Sequence, residues 1–541
     1  MNGSLPGKIC GGIPTKVVSL VLILALMFGV LHSGALAQTA RKVPAQTNPQ
    51  RPGAPRLIVV LVIDQFRADF LDRFREKFAA GGFSRLLREG AVFRSCYYPY
   101  AITETGPGHA TLATGTTPDR HGIASNEWYD PDPRRKRMVY ALEDESSPVI
   151  GAEGLKPVSP RNLIGSTFSD ELRLATLGRS RVFGVALKDR AAILSTGHGA
   201  SGAYWYDLKS GSGFVTSKYY REALPEWVLA FNKAHPLGQT PAEFSRSGAA
   251  NNLTIAFARE LIEKENLGPS GGTDFLFIGF SANDYAGHRY GPYSQAIEKI
   301  TLETDRSIAE LLAYLDWHFG KGGYWLALSG DHGVAPTLVQ SRDPQMARLE
   351  AKNVDTKALE AAVEAAVAER WGPGPWLAKD AGLFFDRETL KKNSVRLEDA
   401  VRVAGEAVST ISGILGYVSP WRANVPEETA QAYRLSLFPG RGPDFYPVLE
   451  PFALPTLPDE VKGGTTHGTP YTYDTQVPLI LFGPAFVAGD YYDRVMPTDL
   501  ATTLAAALAI HPPSLANGRV LRWAMRRAPS PTIGSERAHP R

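Results

Sequence analysis

Short apolar runs recur along the chain, separated by longer stretches with helical period. The runs at 57–63, 182–186, 275–280, 325–328 and 478–482 carry no polar alternation, which is the pattern of strands covered on both faces. Helical patterns at 78–89, 251–265, 293–319 and 499–510 lie between or beyond them. Strand and helix thus alternate, predicting an α/β fold with a mostly parallel central sheet flanked by helices. The stretch 339–459 breaks the rhythm. It holds an Ala/Glu-rich helix at 354–370, a short strand at 382–385 and then Pro- and Gly-rich sequence, and it is expected to form an inserted small subdomain over the sheet.

The two ends read differently from the middle. Lys8 and Lys16 precede an apolar run over 17–30, followed by Ala35-Leu36-Ala37. This is the form of a secretory signal peptide, 1–37, cleaved before Gln38, because the run is shorter than the ~20 residues of a spanning helix. The chain is therefore expected to be exported, to a bacterial periplasm or beyond, with no stable membrane anchor. Cys10 stands before the run and is not placed for lipid attachment. Residues 38–55 and 528–541 read as a flexible lead and tail around a catalytic domain at 56–527. Only Cys96 remains after cleavage, so no internal disulfide is possible. The formal net charge is +3, of which Lys8 and Lys16 supply two; so balanced a chain carries no nucleic-acid signal. Its 541 residues, 44% of them hydrophobic, suffice for a substantial core.

Candidate chemistry gathers where open α/β sheets place ligands, just beyond the carboxyl ends of strands. Asp64 ends the first run, Asp284 and His288 follow the third, and Asp331-His332-Gly333 follows the fourth. His467 sits in Gly463-Gly464-Thr465-Thr466-His467-Gly468, before the last run. Three Asp and three His form the mixed oxygen and nitrogen set that zinc accepts, in a number that suits two ions. Each alone reads equally well as a cap or a hydrogen-bonded structural residue. Thr105, in Thr103-Glu104-Thr105-Gly106-Pro107-Gly108-His109, precedes a small-residue stretch that opens a helix. A hydroxyl there faces free N–H groups that favour anions, so Thr105 is placed like a nucleophile or, equally, like an N-cap. Lys188 and Arg190 follow the second run and share a side if the chain stays extended; two cations there suit a phosphate dianion, although charged turns are common.

Together, Asp64, Thr105 in Thr-x-Pro-Gly-His, Asp284-x-x-x-His288, Asp331-His332-Gly333 and His467 resemble the alkaline phosphatase superfamily, in its nucleotide pyrophosphatase/phosphodiesterase-like branch. The resemblance covers about 56–513. It implies two Zn²⁺ ions, one held by Asp284, His288 and His467, the other by Asp64, Asp331 and His332 with the Thr105 oxygen. It further implies attack by Thr105 on phosphorus and a phosphothreonine that is then hydrolysed. Lys188 and Arg190 resemble the Lys-x-Arg element of the threonine-nucleophile phosphomonoesterases, and Asn126 matches their donor to a phosphate oxygen. The expected activity is thus that of an alkaline phosphatase acting on small phosphate monoesters. The alternatives are a phosphodiesterase or nucleotide pyrophosphatase with the same metal core, and an inert envelope protein that binds metal or phosphate. A sulfatase fits less well, since no cysteine lies near Thr105. His109 is read as support for the nucleophile turn, and His198 has no assigned role.

Overall fold

The computed structural model describes residues 54–132, 136–342 and 351–526. The expected signal peptide, the lead up to residue 53 and the tail from 528 lie outside them. In chain order the strands are β1 (Leu57–Ile63), β2 (Ala91–Tyr97), β3 (Glu127–Asp130), β4 (Arg137–Tyr140), β5 (Val149–Ile150), β6 (Val182–Ala186), β7 (Gly202–Tyr206) and β8 (Phe214–Ser217). They continue with β9 (Asp274–Phe280), β10 (Tyr324–Ser329), β11 (Asn353–Val354), β12 (Ile414–Val418), β13 (Tyr446–Leu449), β14 (Leu454–Pro455), β15 (Gln476–Phe482) and β16 (Gly489–Tyr491).

Ten of these form one sheet in the order β16-β2-β15-β10-β1-β9-β6-β7-β8-β5. Its centre, from β10 to β7, is parallel, as the uninterrupted apolar runs predict. Successive residues of β1 alternate between two cores. Leu57, Val59, Leu61 and Ile63 pack with the helices Gly248–Lys264 and Gln295–Phe319. Ile58, Val60 and Val62 pack with Thr105–Thr114, Asp189–Thr196 and Asp499–Leu508. Full burial of each such side chain is worth about 1.5–3 kcal/mol, which is why the central strand tolerates no polar residue on either face.

The run expected at 478–482 is the end of β15, and β15 is antiparallel to both β10 and β2. Its beginning therefore lies beside the carboxyl end of β10, where Ser329 pairs with Leu479, and the loop before β15 opens onto the same rim as Asp64, Asp284 and Asp331. The helix expected at 78–89 starts only at Phe83. The Asp305 carboxylate, from the helix Gln295–Phe319, accepts the Phe83 N–H at 2.6 Å and the Ala79 N–H at 2.5 Å, so the helix is capped from across the fold rather than by its own chain.

Beyond β10 the chain leaves the sheet. The helix Thr356–Trp371, capped by the Asp355 carboxylate, packs on the helix Leu397–Val408 and on β12 around a third apolar core that includes Trp376, Tyr417 and Phe445. No strand forms at 382–385: Phe385 makes one isolated bridge to Leu377, and its N–H is taken by Asp444 at 2.8 Å. No described helix is long and apolar enough to cross a membrane.

Candidate active site

The Asp and His residues of four separate segments meet at the carboxyl rim of the central strands. Asp64 follows β1, the helix Ala282–Tyr290 carries Asp284 and His288 one turn apart, Asp331 and His332 follow β10, and His467 enters from the loop before β15. The ligand atoms of Asp64, Asp331 and His332 lie within 4.8 Å of one another, and so do those of Asp284, His332 and His467. His332 therefore reaches both groups. His288 flanks the second, its Nε2 3.2 Å from Asp284 Oδ1.

The three imidazoles are mounted alike. His288 Nδ1 donates to the Thr465 carbonyl at 2.9 Å, His332 Nδ1 to Gly333 at 2.9 Å and His467 Nδ1 to Thr103 at 2.6 Å. A carbonyl can only accept, so each Nδ1 carries a proton and Nε2 is the end left to hold a ligand; burial opposes charge on His288, but Asp284 beside its Nε2 outweighs that and raises its pKa. Burial lowers the pKa of His332 and, with the neighbouring His332 and His288 rings, holds His467 well below the ordinary histidine range, so these two rings are neutral. Oδ1 of Asp64, Oδ2 of Asp331 and Nε2 of His332 are buried without a hydrogen-bond partner, and Oδ2 of Asp64 has the Lys188 ammonium beside it. Orphaned polar atoms of this kind are costly unless an ion fills the space between them. Imidazoles and carboxylates so placed could hold a metal ion.

The carboxylates repel one another. Burial, then Asp284 and Asp331, raise Asp64 well above the usual carboxyl range, and burial pushes Asp331 up to about 6. Burial also acts on Asp284, but the Lys188 ammonium and His288 outweigh it and hold that carboxyl well below its ordinary value. Lys188 Nζ lies 2.5 Å from Asp284 Oδ2, 2.6 Å from Asp64 Oδ2 and 3.3 Å from Thr105 Oγ1.

Thr105 is the first residue of its helix and is almost wholly buried. Gly106 N–H donates to Asn126 Oδ1 at 2.8 Å, which leaves the Asn126 Nδ2 group as the end free to donate. Glu104 in turn accepts from Asn126 N at 2.7 Å and Ser125 Oγ at 2.9 Å. Gly108 is required by close approach, since a Cβ there would stand 2.3 Å from the Asp331 carbonyl oxygen. His109 binds no carbonyl. Its Nδ1 lies 3.1 Å from Ser195 Oγ and its Nε2 3.5 Å from Asp331 Oδ2. His198 stays apart; its backbone N–H donates to Asp170.

Lys188 and Arg190 do not extend side by side, because a helix opens at Asp189 between them. Lys188 instead lies against Tyr285, its ammonium 5.1 Å from the ring centroid. The Arg190 guanidinium reaches Tyr140.

Gln65 is invisible to motif reading yet central to the site. It is buried at φ +59°, a left-handed conformation that costs a non-glycine residue about 1 kcal/mol or more. There its backbone N–H donates to Asp331 Oδ1 and its side-chain amide to Asp284 Oδ1, both at 2.9 Å, so one residue ties the two groups of ligands together. Gly287 makes room for it, since a Cβ at 287 would lie 1.8 Å from Gln65 Oε1.

Residues 58–440 match the Type I phosphodiesterase / nucleotide pyrophosphatase family. The chain is 32% identical to alkaline phosphatase PhoV of Synechococcus elongatus, over 94% of this chain and 99% of the relative. It is also 32% identical to a Myroides odoratus protein named calcium-transporting ATPase, over 85% of this chain and 93% of the relative. Alkaline phosphatase PafA of Elizabethkingia meningoseptica is 29% identical over 94% of this chain and 98% of its own; a crystal structure of wild-type PafA superposes with a TM-score of 0.80, covering 87% of this chain and 99% of that one. The chain belongs to the Type I phosphodiesterase/nucleotide pyrophosphatase family of the alkaline phosphatase superfamily, on the branch that holds the bacterial alkaline phosphatases.

Proposed function

We propose that this enzyme is an exported two-zinc alkaline phosphatase that hydrolyses phosphate monoesters through a phosphothreonine at Thr105. The observation that carries the reading is the shared mounting of the three histidines, each Nδ1 spent on a carbonyl and each Nε2 within 3.8 Å of a buried carboxylate: Asp284 for His288 and His467, Asp64 and Asp331 for His332. Asp64, Asp331 and His332 would hold one zinc and Asp284, His288 and His467 the other. Bound zinc would supply Lewis acidity, which lowers the pKa of a coordinated water toward ~7.

The chain's own groups do the rest. The helix N-terminus at Thr105 favours the negative charge that develops on its hydroxyl. Thr105 Oγ forms the new bond to phosphorus as the ester oxygen departs, and water then attacks the same phosphorus to release phosphate and restore the threonine. Asn126 Nδ2, Lys188 and Arg190 offer donors to the non-reacting phosphoryl oxygens. A monoester dianion has one more charged oxygen than a diester, so these cations stabilise its transition state selectively.

Matched aryl mono- and diesters test this. Wild type is expected to prefer the monoester in kcat/KM, and the Lys188→Ala/Arg190→Ala double variant to lose most of that preference. A wild-type preference for the diester would instead establish the phosphodiesterase reading, and two bound zinc ions with no hydrolysis of either ester the inert binding protein. Export is read from 1–37, and mature protein beginning at Gln38 would bear it out.

A further inference from the structure

The inference concerns Arg190 and rests on the monoesterase reading. A guanidinium binds a phosphoryl group better when its fork is already aimed, because less rotamer freedom is then lost on binding. Arg190 is restrained on one edge by residues that have no contact with a metal ligand. Its Nη1 donates to Tyr140 Oη at 2.7 Å, the Tyr140 hydroxyl donates to Asp189 Oδ1 at 2.6 Å, and Asp189 Oδ1 also accepts the Arg190 backbone N–H at 2.7 Å. The guanidinium carbon lies 5.6 Å from the centroid of the Tyr140 ring. Nε of Arg190 is buried with no hydrogen-bond partner. The tyrosine hydroxyl thus bridges cation and carboxylate, which also pair directly at 3.8 Å, and it occupies one edge of the fork while leaving donors on the other.

Tyr140 has a fixed mount of its own. It ends β4 and pairs with Glu127 of β3, and Ala141 N–H bonds the Asn126 carbonyl at 2.9 Å. Asn126 and Tyr140 therefore stand on neighbouring strands at one end of a single hairpin, offset by one position in the register. Across the hairpin end, Lys156 pairs with Glu127 at 3.7 Å and lies 5.5 Å from the Tyr140 ring centroid.

We infer that Tyr140, braced by Asp189, is a positioning residue that aims Arg190 at the substrate, and that the β3–β4 hairpin sets Asn126 and Arg190 in a common frame for the phosphoryl oxygens. Tyr140→Phe keeps the ring and removes the hydroxyl. It should lower kcat/KM for an aryl phosphate monoester about tenfold, the weight of a hydrogen bond to a charged group. It should raise the inhibition constant of inorganic phosphate in parallel and lower kcat/KM for the matched diester far less. Because Tyr140 acts through Arg190, adding Tyr140→Phe to Arg190→Ala should cost less than twofold more.

Equal losses on both esters, or a full tenfold further loss in the Arg190→Ala background, would overturn the inference. Asp189→Asn gives a second reading, with the same loss of ester preference expected on a chain whose melting temperature is checked. An Arg190→Ala variant with unchanged preference would overturn the monoesterase reading itself, and the aim assigned to Tyr140 with it. Lost preference in Arg190→Ala with none in Tyr140→Phe or Asp189→Asn would sink only the positioning role.

Discussion

Replacing Gly287 by alanine adds a single methyl group to a helix and should change both stability and metal binding. The new Cβ would stand 1.8 Å from Gln65 Oε1 and 2.9 Å from its Cδ, against ordinary carbon contacts of ~3.5–4.0 Å. The amide is the far end of a flexible side chain and can swing away, so the steric cost is small. The larger cost is the bond it abandons, a buried donation to the Asp284 carboxylate at 2.9 Å, worth about 1.5–3 kcal/mol. Alanine in mid-helix returns about 0.5–1 kcal/mol over glycine, leaving a net loss of about 1–2 kcal/mol. Asp284 also loses the partner that orients it, and removal of such partners weakens metal affinity about 10–100-fold. The measurements are urea unfolding of the metal-free protein and zinc competition against a chromogenic chelator. In a Gln65→Ala background there is no amide to displace, so Gly287→Ala should become stabilising by about 0.5–1 kcal/mol. The same sign in both backgrounds would refute the reasoning.

Three further outcomes follow from the site. Thr105→Ala should abolish turnover and leave no acid-stable phosphate on a chain quenched with labelled monoester, while retaining bound zinc; label at wild-type level would exclude Thr105 as the nucleophile. Stripping zinc with a chelator should lower the melting temperature and re-addition restore it, because three buried carboxylates are then left to repel one another. The stripped protein should also be pH-sensitive: Asp331, pushed up to about 6 by burial, favours the folded state when protonated, so its contribution is complete below the unfolded carboxyl value near 4 and is lost as pH rises through about 6. His332 and His467, held below the ordinary histidine range, act in the opposite sense across this window, so the check is the comparison with Asp331→Asn: a melting temperature of the stripped variant relative to stripped wild type that does not rise between pH 4 and 7 would contradict this.

The central strands were legible because they are buried on both faces, and an uninterrupted apolar run has few other readings. β2 and β7 were not, since Arg94 and Ser95 break the run of one and Gly202 with three aromatic residues makes up most of the other. The direction of β15 could not be read from its composition, which is the same for either orientation, and the start of the helix at Phe83 depends on a carboxylate more than 200 residues away. Within the site, the Asp and His residues stood out because four separate segments repeat them next to apolar runs, although each alone reads as a cap or a structural residue. Gln65, Glu104, Tyr140 and Asp189 did not, because what each does depends on hydrogen bonds to partners that only the folded chain brings near.

The antiparallel course of β15 has a consequence for how the protein is made. Asp64 is synthesised early and His467 about 400 residues later, and between them the chain must set β9 and β10 on either side of β1. A nascent chain on the ribosome thus carries isolated donors but never the full set, and pairings of such long sequence separation form late. Tight metal capture would then mark completion of the central sheet, and any chain truncated before His467 would lack the ring that closes the site.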